Sequence, residues 1–553
     1  MRNLFLFALV IDCLCSCTEK QKADVIFFHT KIWTGDSSNP SATSIGIKDS
    51  TILFVGNDYS AYKGEGTEMI DLREKTIVPG FIDNHTHFLS GGFQLGNVNL
   101  RNVRTKAGFI DSIYRYIETL KDDRWVLGGD WDHEAWGGEL PDRHWIDSVS
   151  GNRPVFVNRY DGHMALANSK ALALAGIDQH TADPPGGQIV RDPKTGQPTG
   201  ILRDEAMELL NKVIPPPSES ELMEYLQRAV HHGLEHGVTQ IHDMGSYGGW
   251  TDLFTYRKAY ASNQLGLRVY SFVPVSTWKM LDSFVRQNGR GDDRLRWGGL
   301  KGFVDGSLGS TTAWFYESYL DAPGSTGLQV TDTALLRQWI LAADAKGLHV
   351  ATHAIGDRAN DWILEVYKQA ENQNGKRDRR FRVEHAQHLT ENGIKAFGQL
   401  AVVPSMQPYH AIDDGKWAYK RLDSARLRRT YAFRSLLSHG AKLTFGSDWT
   451  VAPLDPIAGI YAAVTRRTLD NKNPNGWFPD EKISVEQALK CYTINNAYAG
   501  FQENRLGMIK AGMLADLVVL SGDLLSIPPE KIRDIKVLRT IVNGKQEFEA
   551  VVQ

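Results

Sequence analysis

Residues 76–90 read TIVPGFIDNHTHFLS. An apolar start, Ile77-Val78, passes through Pro79-Gly80 and Phe81-Ile82 and delivers Asp83, His85 and His87. In an extended chain, residues two apart point to the same side. His85 and His87 therefore aim at one point at the end of a buried strand. Two imidazoles on one face are half of a metal site. They are equally a pair of hydrogen-bonded strand-end histidines, and the rest of the chain must supply the other half to decide between the two.

Working outward, the centre of the chain alternates strand and helix. Residues 238–244, 267–275, 300–304, 348–353, 381–385, 402–406 and 442–448 read as strands, with helical stretches such as 220–236, 332–346 and 360–371 between them. Alternating units of this kind imply a parallel sheet. With residues 76–87 they suit an α/β fold, a (β/α)8 TIM-like barrel whose C-terminal strand ends hold the active site. Short strands at 23–28, 44–47, 51–55 and 69–72 recur in texture at 516–520 and 537–542. They predict a small β-sandwich from both chain ends, 17–75 and 501–553, around a barrel at 76–500. The gap between the first two barrel strands is far longer than the others. Within it, residues 121–218 are rich in Trp, Gly, Pro and Asp and read as an inserted lid.

Totals narrow the function. Lys+Arg of 62 against Asp+Glu of 65 leaves a net charge of −3 without a basic stripe, so no nucleic-acid partner is expected. Cys13, Cys15 and Cys17 crowd the N-terminus and Cys491 stands alone, reading as a buried structural residue. That pattern argues against a disulfide scaffold and against a Cys-built zinc site. Any metal must use His and carboxylates. Arg2 and the apolar run at 4–11, too short to span a bilayer, read as a signal peptide over residues 1–16. Leu14-Cys15-Ser16-Cys17 resembles a lipobox, which makes Cys17 the lipidated first residue of an exported, periplasmic or membrane-anchored protein. Asp12 and Cys15 depart from the usual lipobox pattern, and an ordinary cleaved signal is the alternative. Membrane contact is expected only through that anchor, and a homo-oligomer is compatible with the sequence.

The polar residues ending the expected strands form a set: His85 and His87 from the first, Lys301 and Asp305 from the fourth, His353 from the fifth, His385 from the sixth and Asp448 from the eighth. Each sits where a barrel places its catalytic groups. Together they could hold one or two divalent ions, zinc foremost, with Mn, Fe or Co also suited to N/O ligands. A lysine ammonium cannot ligate, but a carbamate formed with CO2 turns Lys301 into a bridging carboxylate.

These residues lie in longer motifs: PGFIDNHTH (79–87), GGDWD (128–132), DGHMALANS (161–169), IHDMG (241–245), KGFVDGSLGS (301–310), ATHAIGDRA (351–359), VEHAQ (383–387), FGSDW (445–449) and GMLADLVVL (512–520). Through them the chain resembles the third amidohydrolase family of the metal-dependent amidohydrolase superfamily, which includes N-substituted formamide deformylases. The resemblance covers essentially the whole mature chain. It implies that His85, His87 and Asp448 hold one ion, that His353 and His385 hold a second, and that Lys301, as N6-carboxylysine, bridges them.

The chemistry expected from such a site is hydrolysis of a non-peptide C–N bond in a small-molecule substrate, with Asp448 as general base and then acid. Lactone or other ester hydrolysis on the same site is the alternative reading, and a ligand-binding lipoprotein without chemistry a remoter one. Trp131, His163, Asp305 and Arg358 are expected to meet substrate. Asp132, Asp243, Ser307 and Asp357 could support the site. His232 and His236 have the i,i+4 spacing of a helical zinc motif, but no Glu follows the first His, and with His231 they read as a solvated helix face.

Overall fold

The computed structural model describes residues 21–120, 123–159, 164–185 and 187–551. The signal peptide, Cys17 and His163 lie outside the described residues.

The centre is an eight-stranded parallel sheet. Its strands are β1 (Phe81–Thr86), β2 (Val238–Asp243), β3 (Arg268–Pro274), β4 (Leu295–Phe303), β5 (His349–Ala354), β6 (Arg382–His385), β7 (Val403–Met406) and β8 (Thr444–Phe445). They neighbour one another in chain order from β1 to β8. The seam between β1 and β8 closes just beyond the short last strand. Asp448 N donates to His85 O at 2.8 Å and His87 N donates to Trp449 O at 2.7 Å, and Thr86 bridges Trp449 in parallel. The sheet is therefore a (β/α)8 barrel.

Helices cover the outside for reasons visible in the sequence. In Glu219–Glu235, Ser218 caps the helix and Glu221 returns the bond, a full capping box. Leu222, Leu226, Ala229, Val230 and Leu234 recur at helical spacing and are buried. They join Phe88, Leu89, Val238 and Leu267 in one continuous core. Each such Leu or Phe contributes about 1.5–3 kcal/mol on burial. Asp332 and Thr390 cap the helices Thr333–Ala345 and Glu391–Gln399 by accepting from Leu335 N and Gly393 N.

The chain ends make a β-sandwich. Val25–Phe28, Ser44–Lys48, Thr51–Gly56 and Glu68–Asp71 form one sheet. In the other sheet, Thr76–Pro79 runs antiparallel to Leu517–Leu520, with Thr76 opposite Leu520 and Pro79 opposite Leu517. Phe27, Ile45, Ile77, Leu517 and Ile541 fill the space between. The expected boundary at 75/76 thus moves. Residues 76–79 belong to the sandwich and the barrel begins at Phe81. Gly80 is the joint: its N–H donates to Asp516 O at 2.8 Å, and a Cβ there would lie 2.2 Å from Thr239 Oγ1.

The insertion is a six-stranded sheet, in the order Gly187–Arg191, Pro198–Asp204, Met164–Ala167, Phe156–Arg159, Gly128–Trp131, Val98–Asn99. It starts ahead of the expected residue 121. Val98–Asn99 pairs in parallel with Gly128-Gly129, and the helix Lys106–Thr119 sends Phe109, Ile113 and Ile117 into the insertion's own core. Among the described residues no helix is long and apolar enough to cross a membrane.

Candidate metal centre

The expected strand-end residues converge at one end of the barrel. The rings of His85 and His385 have centroids 4.9 Å apart, and those of His353 and His385 4.5 Å apart. Asp448 Oδ1 lies 3.5 Å from His85 Nε2 and 3.4 Å from His87 Nε2. Lys301 Nζ is 3.2 Å from His85 Nε2. Ligand atoms of His85, His385 and Asp448 all lie within 4.8 Å of one another.

Each imidazole is oriented by a partner on its other nitrogen. His85 Nδ1 meets the Glu384 carboxylate at 2.5 Å. His87 Nδ1 donates to Gly245 O at 2.6 Å, and His385 Nδ1 to Gln407 Oε1 at 2.9 Å. In all three the proton sits on Nδ1, so the Nε2 lone pair faces the cluster. His353 is reversed: its Nε2 donates to Gly306 O at 3.0 Å, leaving Nδ1 as the lone-pair nitrogen.

The electrostatics agree with ligation. Burial, then the Lys301 charge, lowers His85 to about 4 and His353 to about 3. Burial, then His353, takes His385 well below the usual histidine range. These three imidazoles are neutral at pH 7 and free to ligate, whereas for His87 burial is outweighed by the hydrogen bond and charge of Asp448, which raise it. Burial pushes the Asp448 carboxyl up, but its electrostatic contact with His85 and its hydrogen bond with His87 outweigh it and hold Asp448 well below the carboxylate range. Burial lowers the Lys301 ammonium to about 8. Three neutral imidazoles, one carboxylate and a deprotonatable lysine are a donor set for a divalent ion of the zinc class.

Backbone strain marks the same place. His385 has φ 73° and Asp448 φ 57°, a left-handed region that costs a non-glycine residue about 1–3 kcal/mol and collects at functional sites. Gly446 permits the approach of β1, since a Cβ there would lie 2.6 Å from His85 N.

The expected substrate contacts fare differently. Asp305 is fully buried, with Oδ1 3.6 Å from His353 Nε2, and its carboxylate accepts from Trp314 N and Gly356 N at 2.8 Å and from Ile355 N at 2.9 Å. It ties the loop after β4 to the loop after β5. Trp131 does not line the mouth. It is fully buried in the insertion's core, and its Nε1 donates to Val157 O at 2.8 Å. Arg358 is exposed at the start of the helix Asp357–Asn374, with its guanidinium 4.6 Å over the Trp314 ring. Asp243 accepts from Phe88 N and Gly245 N, bracing the loop after His87. Cys491 is buried and reduced.

Three contributors were not singled out in the sequence. Arg382 Nε donates to Glu384 Oε1 at 2.7 Å, and Ser405 Oγ to Glu384 Oε2 at 2.6 Å. Glu384 thus anchors His85 from inside the barrel. Gln407 holds His385. His410 stands in the helix Pro408–Asp414, directly after β7, and its buried Nε2 has no hydrogen-bond partner among the described residues. Beside the mouth, a crevice of about 570 Å³ runs between the barrel and the insertion, lined by Phe93, Leu95, Trp449 and Val451 on one side and Gly128–Asp130 with Asn158 on the other.

A model of the amidohydrolase family matches residues 68–548. The chain belongs to the amidohydrolase family. Relatives agree along its length. The protein LONG AFTER FAR-RED 3 of Arabidopsis thaliana is 43% identical over 540 residues, 95% of this chain and 92% of the relative. N-substituted formamide deformylase of Arthrobacter pascens is 27% identical over 554 residues, 96% of this chain and 99% of the relative. A solved metal-dependent hydrolase from Pyrococcus furiosus superposes with a TM-score of 0.77 at 29% identity, covering 91% of this chain and all of that one. This amidohydrolase is a metal-dependent hydrolase, and the barrel-mouth cluster suits its divalent ion.

Proposed function

We propose that this amidohydrolase cleaves a non-peptide C–N bond, that of an N-substituted formamide or a related amide, with zinc as its resident ion. The observation that carries the reading is Asp448, a charged carboxylate 3.4 and 3.5 Å from two histidine Nε2 atoms. A divalent ion, when bound, lowers the pKa of a water toward neutrality and polarises a carbonyl. Asp448 takes the proton of the attacking water at its carboxylate and returns it to the leaving nitrogen. An amine leaves poorly until protonated, so a proton carrier at the mouth fits amide cleavage.

His85, His87, His353 and His385 would hold one or two ions together with Asp448. Lys301 completes the set as a carbamate, in which the neutral Nζ attacks CO2, a C–N bond forms and one proton is released. Its buried position beside His85 Nε2 supports that modification. His410 Nε2 would hold a substrate oxygen. The crevice under the insertion, with Phe93 and Val451 on its wall, would take the N-substituent. The 27% identity to a formamide deformylase supports the substrate class. Export on a signal peptide with a lipid on Cys17 completes the proposal, and mass spectrometry of the mature N-terminus tests it.

The deciding experiment is a panel of N-substituted formamides, other amides, esters and lactones with metal-loaded protein. The reading predicts stoichiometric amine release from an amide. Turnover of lactones or esters with none of any amide would overturn it.

A further inference from the structure

A second group of ligating side chains lies outside the barrel mouth. His232, Glu235 and His236 close the helix Glu219–Glu235, and each offers a ligand atom within 4.8 Å of the others. Spacings of three and four residues put all three on one helix face. The expected solvated face holds only for His231, whose side chain is 71% exposed. His232 is 25% exposed, and its ring stacks on Trp449 with centroids 5.1 Å apart.

Each donor is prepared separately. His236 Nδ1 donates to His232 O at 2.8 Å, so the proton sits on Nδ1 and Nε2 carries a free lone pair. The Trp449 stack holds the His232 plane. Glu235 gives Oε1 to His231 at 3.1 Å, while its Oε2 turns toward His232. The carbonyl end of a helix carries partial negative charge, which favours a cation there. A cavity of about 250 Å³, lined by Glu235, His236 and Asp455 with Arg533 and Lys536 on its wall, borders the cluster and can supply water. Arg533 is turned onto the Tyr461 ring, 4.7 Å from its centroid.

We propose that His232, Glu235 and His236 form a second binding site for a divalent transition-metal ion of the zinc or copper class. Two imidazoles, one carboxylate and a water make a four-coordinate shell. The site is distinct from the catalytic cluster but adjoins it through Trp449. That residue follows Asp448, and its carbonyl accepts the His87 amide across the β1–β8 seam.

The test titrates holoenzyme, its tightly held metal retained, with Cu2+ in a calorimeter. Wild type takes up one further equivalent per chain. His236→Ala and His232→Gln each lose that equivalent while keeping the resident metal and the turnover, and His231→Ala retains it. An unchanged isotherm in His236→Ala, or no further equivalent in wild type, overturns the proposal. Paramagnetic resonance of Cu2+ on wild type reads the same question without a variant. Hyperfine splitting from two imidazole nitrogens supports the site, and its lack rejects it.

Discussion

The histidines at the barrel mouth and those at the end of the helix Glu219–Glu235 offer the same atoms to a metal but are held by different means. At the mouth, His85, His353, His385 and Asp448 come from four different strands or their ends, and a separate acceptor fixes each imidazole. His85 is fully buried and His87 30% exposed, and the barrel's closure sets their spacing. At the helix end, one turn of backbone supplies every donor, the polar contacts that orient them are internal to that turn, and the Trp449 ring packs on it from outside. Water reaches it. The difference teaches what chemistry needs beyond ligation. Among the described residues, only the mouth combines candidate ligands with a charged carboxylate poised beside them and a buried lysine. The helix site has one carboxylate, Glu235, which is 40% exposed and already paired with His231.

The comparison breaks first at Asp448. Asp448→Asn keeps a neutral oxygen ligand and removes the proton acceptor. Turnover should fall by at least about a thousandfold, toward the upper range for general acid–base groups, while metal content stays near wild type. Near-normal turnover in metal-loaded Asp448→Asn would reduce the mouth to a binding site like the helix end. Glu384→Gln sharpens the contrast next, because it weakens the anchor on His85 Nδ1 without touching a ligand. Metal affinity should drop by up to about a hundredfold, measured by competition with a chelator, and an unchanged affinity would show that the anchor is dispensable.

The lysine gives a pH test. Burial lowers Lys301 to about 8. Below that pH the amine is increasingly ammonium and cannot attack CO2. Above it the neutral fraction is already near its limit. Reactivation of metal-stripped, decarboxylated protein by zinc at a fixed concentration of dissolved CO2 should therefore slow as pH falls. Between pH 8 and pH 6 the rate should drop roughly fifty-fold, following the neutral fraction. A rate still climbing steeply from pH 9 to pH 10 would mean an ordinary, solvated lysine.

Much of the site was legible because strand periodicity and strand ends are local signals. His85 and His87 alternate on β1, His353 and Asp448 each close a recognisable apolar run, and Lys301 is a lone charge inside one. Glu384 was hidden by the same rule. It shares a face with Arg382 in the barrel interior, and alternation would put it opposite His385. The positive φ of His385 turns that residue into the mouth beside its neighbour's network. Trp131 misled because a Gly- and Asp-rich segment reads as exposed loop, whereas Gly128 and Gly129, both with positive φ, thread it into a sheet. The start of the insertion at Val98 could not be seen, since a two-residue strand carries no periodicity. His410 offered only Pro408 at a helix start after β7.

The measurement that bears most directly on the account is anomalous diffraction at the metal edge, from crystals of the protein purified without added metal. The account predicts a peak bounded by His85, His87, His385 and Asp448, with density for a carbamate on Lys301. A peak only at His232 and His236, with none at the barrel mouth, would contradict it.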